Sequence, residues 1–269
     1  MNASTLSNNL VVKRIRHPLK ARLLTVAKTE KITPYMQRIT LTGDSLNDFV
    51  SSSFDDHVKL FFPTSDSEVP ILPIISDDGP KMPEGSPPPI TRDYTPRGFN
   101  TSRCELVLDF VLHENGFAAN WAKNAKPGDK LGVAGPRGSF VIPHEFDHHI
   151  LIGDETALPA ISRRLEELPK NSSVKVIIEV VNDEAKLKLK ENSNTEIVWV
   201  NSGISSLQEL KANTTSPLYN RVKNMPLPSG ELFVWVAAEY SVVKSIREYF
   251  VNILGINKER IRASSYWRK

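Results

Sequence analysis

The stretch His149-Ile150-Leu151-Ile152-Gly153-Asp154-Glu155-Thr156-Ala157-Leu158-Pro159 decides how the rest of the chain is read. A strand that is apolar without alternation is buried on both faces. A glycine followed by acids, a threonine and a proline is a strand-to-helix turn. Pro159 suits the first turn of a helix that runs to about Leu168 and stops at Pro169. The same grammar recurs downstream. Residues 174–181, 196–200 and 232–237 are further apolar runs, and 205–223 has helical character broken by Pro217. Val242, Val243, Ile246, Tyr249, Phe250, Ile253 and Leu254 recur at helical spacing, with Gly255 as the natural stop. Residues 261–266 suit a final strand. Apolar strands alternating with helices predict a parallel sheet covered on both faces.

Upstream of residue 143 the pattern changes. Short alternating runs at 19–26, 37–42, 57–62, 104–112 and 131–134 are separated by Pro and Gly turns, which predicts a small antiparallel barrel. The chain is therefore β followed by α/β, with an antiparallel β-barrel domain over 1–145 and a parallel-sheet α/β domain over 146–269. Residues 64–90 form a long proline-rich passage, functional or disordered by its length, with room for a surface hairpin.

Bulk properties narrow the function. No run approaches the roughly 18 apolar residues that span a bilayer, so no membrane partner is expected. The polar stretch from Met1 to Leu10 lacks the apolar core of a signal peptide, which makes the cytoplasm the expected location. Cys104 is the only cysteine, which excludes an internal disulfide, and its strand-like surroundings predict a buried, inert thiol. A net charge of +3 is too small to argue for nucleic acid. It still allows one cleft to focus positive potential on an anionic substrate. No Ser/His/Asp set, H-E-x-x-H motif or cluster of metal ligands stands out, and His148-His149 reads as structural.

Two stretches carry ligand chemistry. In Thr91-Arg92-Asp93-Tyr94-Thr95, Arg92 and Tyr94 share one face of a strand while Thr95 turns to the other. A guanidinium suits phosphate and a phenol ring offers a flat apolar plate, so the pair grips a ligand aromatic at one end and anionic at the other. The alternative is an edge strand with surface charges. In Gly116-Phe117-Ala118-Ala119, small residues open a short helix whose N-terminal N–H groups suit a phosphate.

Taken in order, several motifs resemble the siderophore-interacting proteins, FAD-dependent ferric-siderophore reductases of the ferredoxin–NADP reductase superfamily. They are Asp56-His57-Val58-Lys59-Leu60, Arg92-Asp93-Tyr94-Thr95, Asp109-Phe110-Val111-Leu112-His113, Gly116-x-Ala118-x-x-Trp121-Ala122, Gly135-Pro136-Arg137-Gly138-Ser139, Gly153 to Ile161, and Tyr266-Trp267-Arg268. The resemblance implies an FAD-binding barrel and an NAD(P)H-binding α/β domain. It implies that Arg92 meets the pyrophosphate, Tyr94 the isoalloxazine and Thr95 the flavin ring nitrogens, with Asp93 in the same motif. Asp109, Phe110, Val111 and His113 would line the adenine side, and Gly116, Ala118 and Ala119 would present backbone N–H groups to the pyrophosphate. Thr156 would cap its helix or reach flavin and nicotinamide.

The turn lacks G-x-G-x-x-G, so nicotinamide-nucleotide binding rests on the resemblance. Glu179 and Asp183 favour a free ribose hydroxyl, hence NADH, whereas Lys186 and Lys188 could receive the 2′-phosphate of NADPH. NADH is preferred. The implied reaction takes electrons from NAD(P)H through FAD to an Fe(III)-siderophore, freeing iron as Fe(II), with no residue acting as a catalytic acid or base. Lys59, Arg137, Arg247 and Arg268 are the expected contacts for an anionic ferric siderophore. The alternatives are a reductase fed by another donor, such as a ferredoxin, and a siderophore-binding module that reduces nothing.

Overall fold

Alternation in the first half of the chain becomes an antiparallel sheet in the computed structural model, which describes residues 10–64, 68–114, 116–203 and 216–268. The chain divides into two units, Met1–Ile142 and Pro143–Lys269. The first unit opens with β1 (Lys13–Arg16), β2 (Ala21–Thr33), β3 (Met36–Thr42) and β4 (Val58–Phe61). It continues through β5 (Ile74–Ser76), β6 (Gly79–Lys81), β7 (Thr91–Tyr94), β8 (Gly98–Asn100) and β9 (Glu105–Val111). After α1 (Phe117–Asn124) come β10 (Lys130–Ala134) and β11 (Gly138–Val141).

Among the described residues, seven of these strands form one sheet in the order β7-β4-β10-β2-β3-β9-β8. Its two edge strands, β7 and β8, are neighbours in sequence, joined only by Thr95, Pro96 and Arg97. Tyr94 and Gly98 can be at most about 14 Å apart, whereas seven strands laid flat would span about 29 Å. The sheet therefore has to curl, and the expected barrel takes the form of a half-barrel. Leu24, Val26, Ile39, Leu41, Val58, Leu60, Leu106, Leu108, Leu131 and Val133 fill it from alternate strand positions, and Ala118 and Ala122 of α1 close one side. Each large aliphatic side chain so buried contributes about 1.5–3 kcal/mol.

Two features depart from the expectations. β1 pairs with β11 in a separate ribbon whose four β1 residues are all exposed. It carries no apolar alternation and so left no strand signal. Cys104 lies in the turn before β9 with φ 51°, half-buried, and not within the strand. The 64–90 passage does contain a hairpin, β5 with β6.

The second unit runs β12 (His148–Gly153), α2 (Leu158–Glu167), β13 (Ser173–Val180), β14 (Thr195–Asn201), α3 (Pro217–Lys223), β15 (Leu232–Glu239), α4 (Tyr240–Glu248) and β16 (Ile261–Trp267). The strands are all parallel, in the order β14-β13-β12-β15-β16. The order of strand addition reverses between β12 and β15, so a crevice forms beyond their carboxyl ends, the usual ligand position in such sheets. Every residue of β15 is buried. Gly153 ends β12 where a Cβ would sit 2.3 Å from Ala157 Cβ and 2.8 Å from Ala237 O, so only glycine lets the turn fold back here. Pro217 starts α3 instead of breaking a helix, with Ser216 Oγ accepting from Tyr219 N–H. The rest of the expected helix, 205–215, lies outside the described residues. α4 passes into one π turn (Tyr249–Ile253), and Gly255 follows at φ 69°. Among the described residues no helix is long and apolar enough to cross a membrane.

Candidate functional site

β7 is the edge strand on which the ligand grip was expected, and its register with β4 sorts the side chains. Tyr94 pairs with Val58, Asp93 with Lys59, and Arg92 with Leu60. Arg92 and Tyr94 thus share the face of the buried Val58 and Leu60, while Asp93 and Lys59 share the other. Arg92 is exposed, its Nη1 donating to Thr91 O at 2.7 Å. The Tyr94 ring packs 4.3 Å from Phe110, and burial pushes its phenol pKa well above the usual value. Thr95 is buried in the link to β8.

A run of rings continues from there. Phe110 lies 5.8 Å from Trp121, Trp121 lies 5.4 Å from Phe62, and Phe62 lies 5.6 Å from Phe117 at the first position of α1. Tyr94 and the head of α1 are therefore two ends of one aromatic ladder. At that head Gly116 is the N-cap with no side-chain hydrogen bond, and Ala118 and Ala119 are buried. The exposed His113 ring covers Gly116 so closely that a Cβ there would sit 2.2 Å from its Cε1. A half-buried phenol ring, an exposed guanidinium and a helix N-terminus uncapped by any side chain suit a ligand with an aromatic ring system and a pyrophosphate. FAD fits this set.

Asp109 and Phe110 sit differently from the adenine-side position that the motif implies. The Asp109 carboxylate is wholly buried and bidentate with Arg38, at 2.7 and 2.8 Å, with Arg97 Nε 3.9 Å away. Phe110 is fully buried in the half-barrel core. Phe110 is turned into the core beneath the Tyr94 ring, and Asp109 is held by its counter-ions. Val111 is half-buried and pairs with Met36.

The expected substrate cations divide between the units. In the first, Ala134 pairs with Lys59, so the Gly135–Gly138 turn bearing the exposed Arg137 starts beside it. Lys59 Nζ is 2.6 Å from Asp93 Oδ1. In the second, the Arg268 guanidinium stands 4.0 Å over the Tyr240 ring at the start of α4. Arg247 is exposed seven residues further along the same helix, about 10 Å away along its axis.

At the carboxyl edge of the parallel sheet, acids are used as caps. Asp154 Oδ1 accepts from the Thr156 N–H and hydroxyl, and Oδ2 from the Trp267 indole at 2.8 Å. Thr156 is therefore tied into its own turn. Glu155 accepts from Val181 N–H at 2.6 Å, and burial pushes both its pKa and that of Asp154 up. Glu179 accepts from Leu218 N–H at 2.8 Å, capping α3. Asp183 pairs with Lys186 at 2.6 Å, whose hydrogen bond lowers the acid's pKa. His148 bonds Ser173 Oγ and Ser229 O, each at 3.0 Å.

One constellation escaped the sequence. His17, Ser139 and Asp56 meet in a single hydrogen-bonded chain, although no Ser/His/Asp set could be picked out beforehand. Only the β1–β11 ribbon brings His17 to Ser139, and that ribbon had no sequence signal.

Residues 25–140 match the profile of the siderophore-interacting FAD-binding domain, and 146–269 that of the siderophore-interacting protein. The chain is 37% identical over 258 residues to an NADPH-dependent ferric-chelate reductase of Escherichia coli K12, covering 95% of this chain and 96% of that one. It is 32% identical over 251 residues to the ferric vibriobactin reductase ViuB of Vibrio cholerae, covering 92% and 89%. The structure of a siderophore utilization protein from T. fusca superposes with a TM-score of 0.87 at 37% identity, covering 96% of both chains. A ferredoxin NADP+ reductase from Neisseria gonorrhoeae, at 13% identity and TM-score 0.61 over 92% of this chain and 99% of that one, shares the fold.

Proposed function

Because the chain belongs to the siderophore-interacting protein family, with an FAD-binding first unit of ferredoxin reductase-like fold, we propose that it reduces ferric siderophores in the cytoplasm and releases Fe(II). NADPH or NADH supplies the electrons. The observation that carries this reading is the ladder from Tyr94 to Phe117, which ties the half-buried Tyr94 ring to an uncapped helix head through packed rings of the half-barrel.

The residues then divide the work. Tyr94, backed by Phe110, gives the isoalloxazine an apolar wall, and Thr95 sits beside it. Arg92 and the N–H groups following Gly116 take the pyrophosphate, with His113 at the same helix head. Bound FAD converts a two-electron supply into one-electron steps. Lys59 and Arg137 draw an anionic ferric chelate to the first unit, and Arg247 and Arg268 are the corresponding cations of the second. Oxygen donors such as catecholate and hydroxamate prefer Fe(III), so reduction weakens the chelate and frees the metal. No side chain has to exchange a proton with the iron complex, and none is assigned a catalytic role.

The donor preference is open to a direct comparison. The carboxylates that favoured NADH, Glu179 and Asp183, are engaged with α3 and Lys186, and the E. coli relative is named for NADPH. Purified protein is expected to be yellow, to bleach anaerobically with NADPH or NADH, and to regain its colour with ferric siderophore as Fe(II) appears in a ferrozine assay. Colourless protein that takes up no FAD sinks the proposal. Flavin that stays oxidised with both nucleotides but bleaches with reduced ferredoxin moves the donor to that class.

A further inference from the structure

Ser139 is the middle member of a buried hydrogen-bond chain that the flavin clamp does not use. Its hydroxyl donates to Asp56 Oδ2 at 2.7 Å and accepts from Ser52 N–H at 3.1 Å, and His17 Nε2 lies 2.7 Å from the same oxygen. A hydroxyl has one proton, here given to Asp56, so His17 must donate through Nε2. Asp56 Oδ2 also accepts from Ser51 Oγ at 2.8 Å and Ser53 N–H at 3.1 Å. This is not the order of a hydrolytic triad. The serine is central and buried, and its proton faces a carboxylate instead of a ring base.

The chain instead fixes the turn that carries Arg137. His17 N–H donates to Arg137 O at 3.0 Å, Gly135 N–H to Lys20 O at 3.0 Å, and Arg22 Nη1 to Gly135 O at 3.3 Å. A Cβ at Gly138 would sit 2.5 Å from Ile15 O, so the ribbon approaches as closely as backbone can. The backbone around Arg137 is thus held by residues 15–22 and by the loop of Asp56. The Arg137 side chain is exposed and enters no ion pair among the described residues. A guanidinium whose backbone is already fixed has less freedom to lose when it meets an anion.

We propose that Ser139 is a positioning residue for Arg137, holding the Gly135–Gly138 turn so that the guanidinium is presented to an anionic ferric chelate. This rests on the assignment of Arg137 to the substrate. The test is steady-state kinetics of the FAD-loaded enzyme with two probes. One is iron(III) tris-catecholate, a trianion, and the other is uncharged iron(III) tris-acetohydroxamate. Ser139→Ala is expected to raise KM for the trianion about three- to tenfold and to add nothing in an Arg137→Ala background. Its kcat, its FAD content and its KM for the uncharged chelate stay at wild-type values. His17→Leu, at the half-buried outer end of the chain, should behave alike and serves if Ser139→Ala folds poorly. His17→Gln, which still offers an N–H, should stay near wild type. Equal losses on both probes, or a further loss in the Arg137→Ala background, overturn the proposal. A raised KM for Arg137→Ala beside an unchanged one for Ser139→Ala and His17→Leu overturns it alone. An unchanged KM for Arg137→Ala removes the substrate assignment and this proposal with it.

Discussion

Lys59 Nζ sits 2.6 Å from Asp93 Oδ1, at paired register positions of β4 and β7. An expected substrate contact and a member of the expected cofactor motif are thus each other's ion-pair partner, on the face opposite Arg92 and Tyr94. The side chains are 45% and 51% exposed, so the pair adds at most about 1 kcal/mol to stability. An anionic chelate approaching Lys59 has to compete with Asp93. Lys59→Gln should raise KM for an anionic ferric siderophore about three- to tenfold, and Asp93→Asn should lower it by a smaller factor. Steady-state kinetics at fixed ionic strength check both, and equal KM values in all three proteins would remove Lys59 from the substrate.

Arg92 is exposed and donates to its neighbour's carbonyl, so its loss should leave the fold intact. Arg92→Ala is expected to unfold within about 0.5 kcal/mol of wild type, yet to emerge from desalting depleted of FAD. The ratio of flavin to protein absorbance reads this directly. Full retention of tightly bound FAD would break the link between β7 and the pyrophosphate.

Asp109 should behave in the opposite way. Its buried carboxylate neutralises Arg38, with Arg97 nearby, so Asp109→Ala leaves two part-buried guanidiniums without their shared carboxylate and should cost about 2–3 kcal/mol in urea unfolding. Asp109→Leu combined with Arg38→Met should recover much of that loss. A stable Asp109→Ala protein lacking only its flavin would instead restore the adenine-side role.

His149 gives a pH signature. It is buried beside Phe146, bonds His144 O at 3.3 Å, and burial followed by the Arg164 charge holds its pKa down to about 3. The unfolded chain takes up this proton below about pH 6.5 and the folded chain does not. Stability is therefore lost as pH drops through that window, by up to about 1.4 kcal/mol per unit. His149→Gln should remove this slope and match the wild-type slope above pH 7. Buried Asp56 and Asp154, with raised pKa values, contribute with the opposite sign in both proteins and cancel in the difference. Parallel stability curves from pH 6 to 4 would show that His149 is charged when folded.

Periodicity made the second unit legible because its strands are buried on both faces and its helices on one. The same rule reached β9, where Leu106, Leu108 and Phe110 point to one side. It also conflicted with the ligand motif there, since a ring that fills the core cannot also line a cofactor. β1 was invisible because all its residues are exposed. The side-chain pairings were invisible for another reason. Arg38 and Asp109 are 71 residues apart, His17 and Ser139 are 122 apart, and Asp56 and Ser139 are 83 apart. Local spacing carries no record of such meetings, which only the curl of the half-barrel and the β1–β11 ribbon create.

The turn after β12 already engages the first donors that lead into α2. Thr156 N–H goes to Asp154 Oδ1, Ala157 N–H to Asp154 O and Leu158 N–H to Glu155 O, while Pro159 has none. The dinucleotide proposed for this unit cannot rely on the peptide cradle that a glycine-rich turn provides. Its phosphates have to be held by side-chain cations. Such contacts weaken with ionic strength, so added salt should loosen the donor's hold more than that of a flavin seated on the peptide N–H groups of α1.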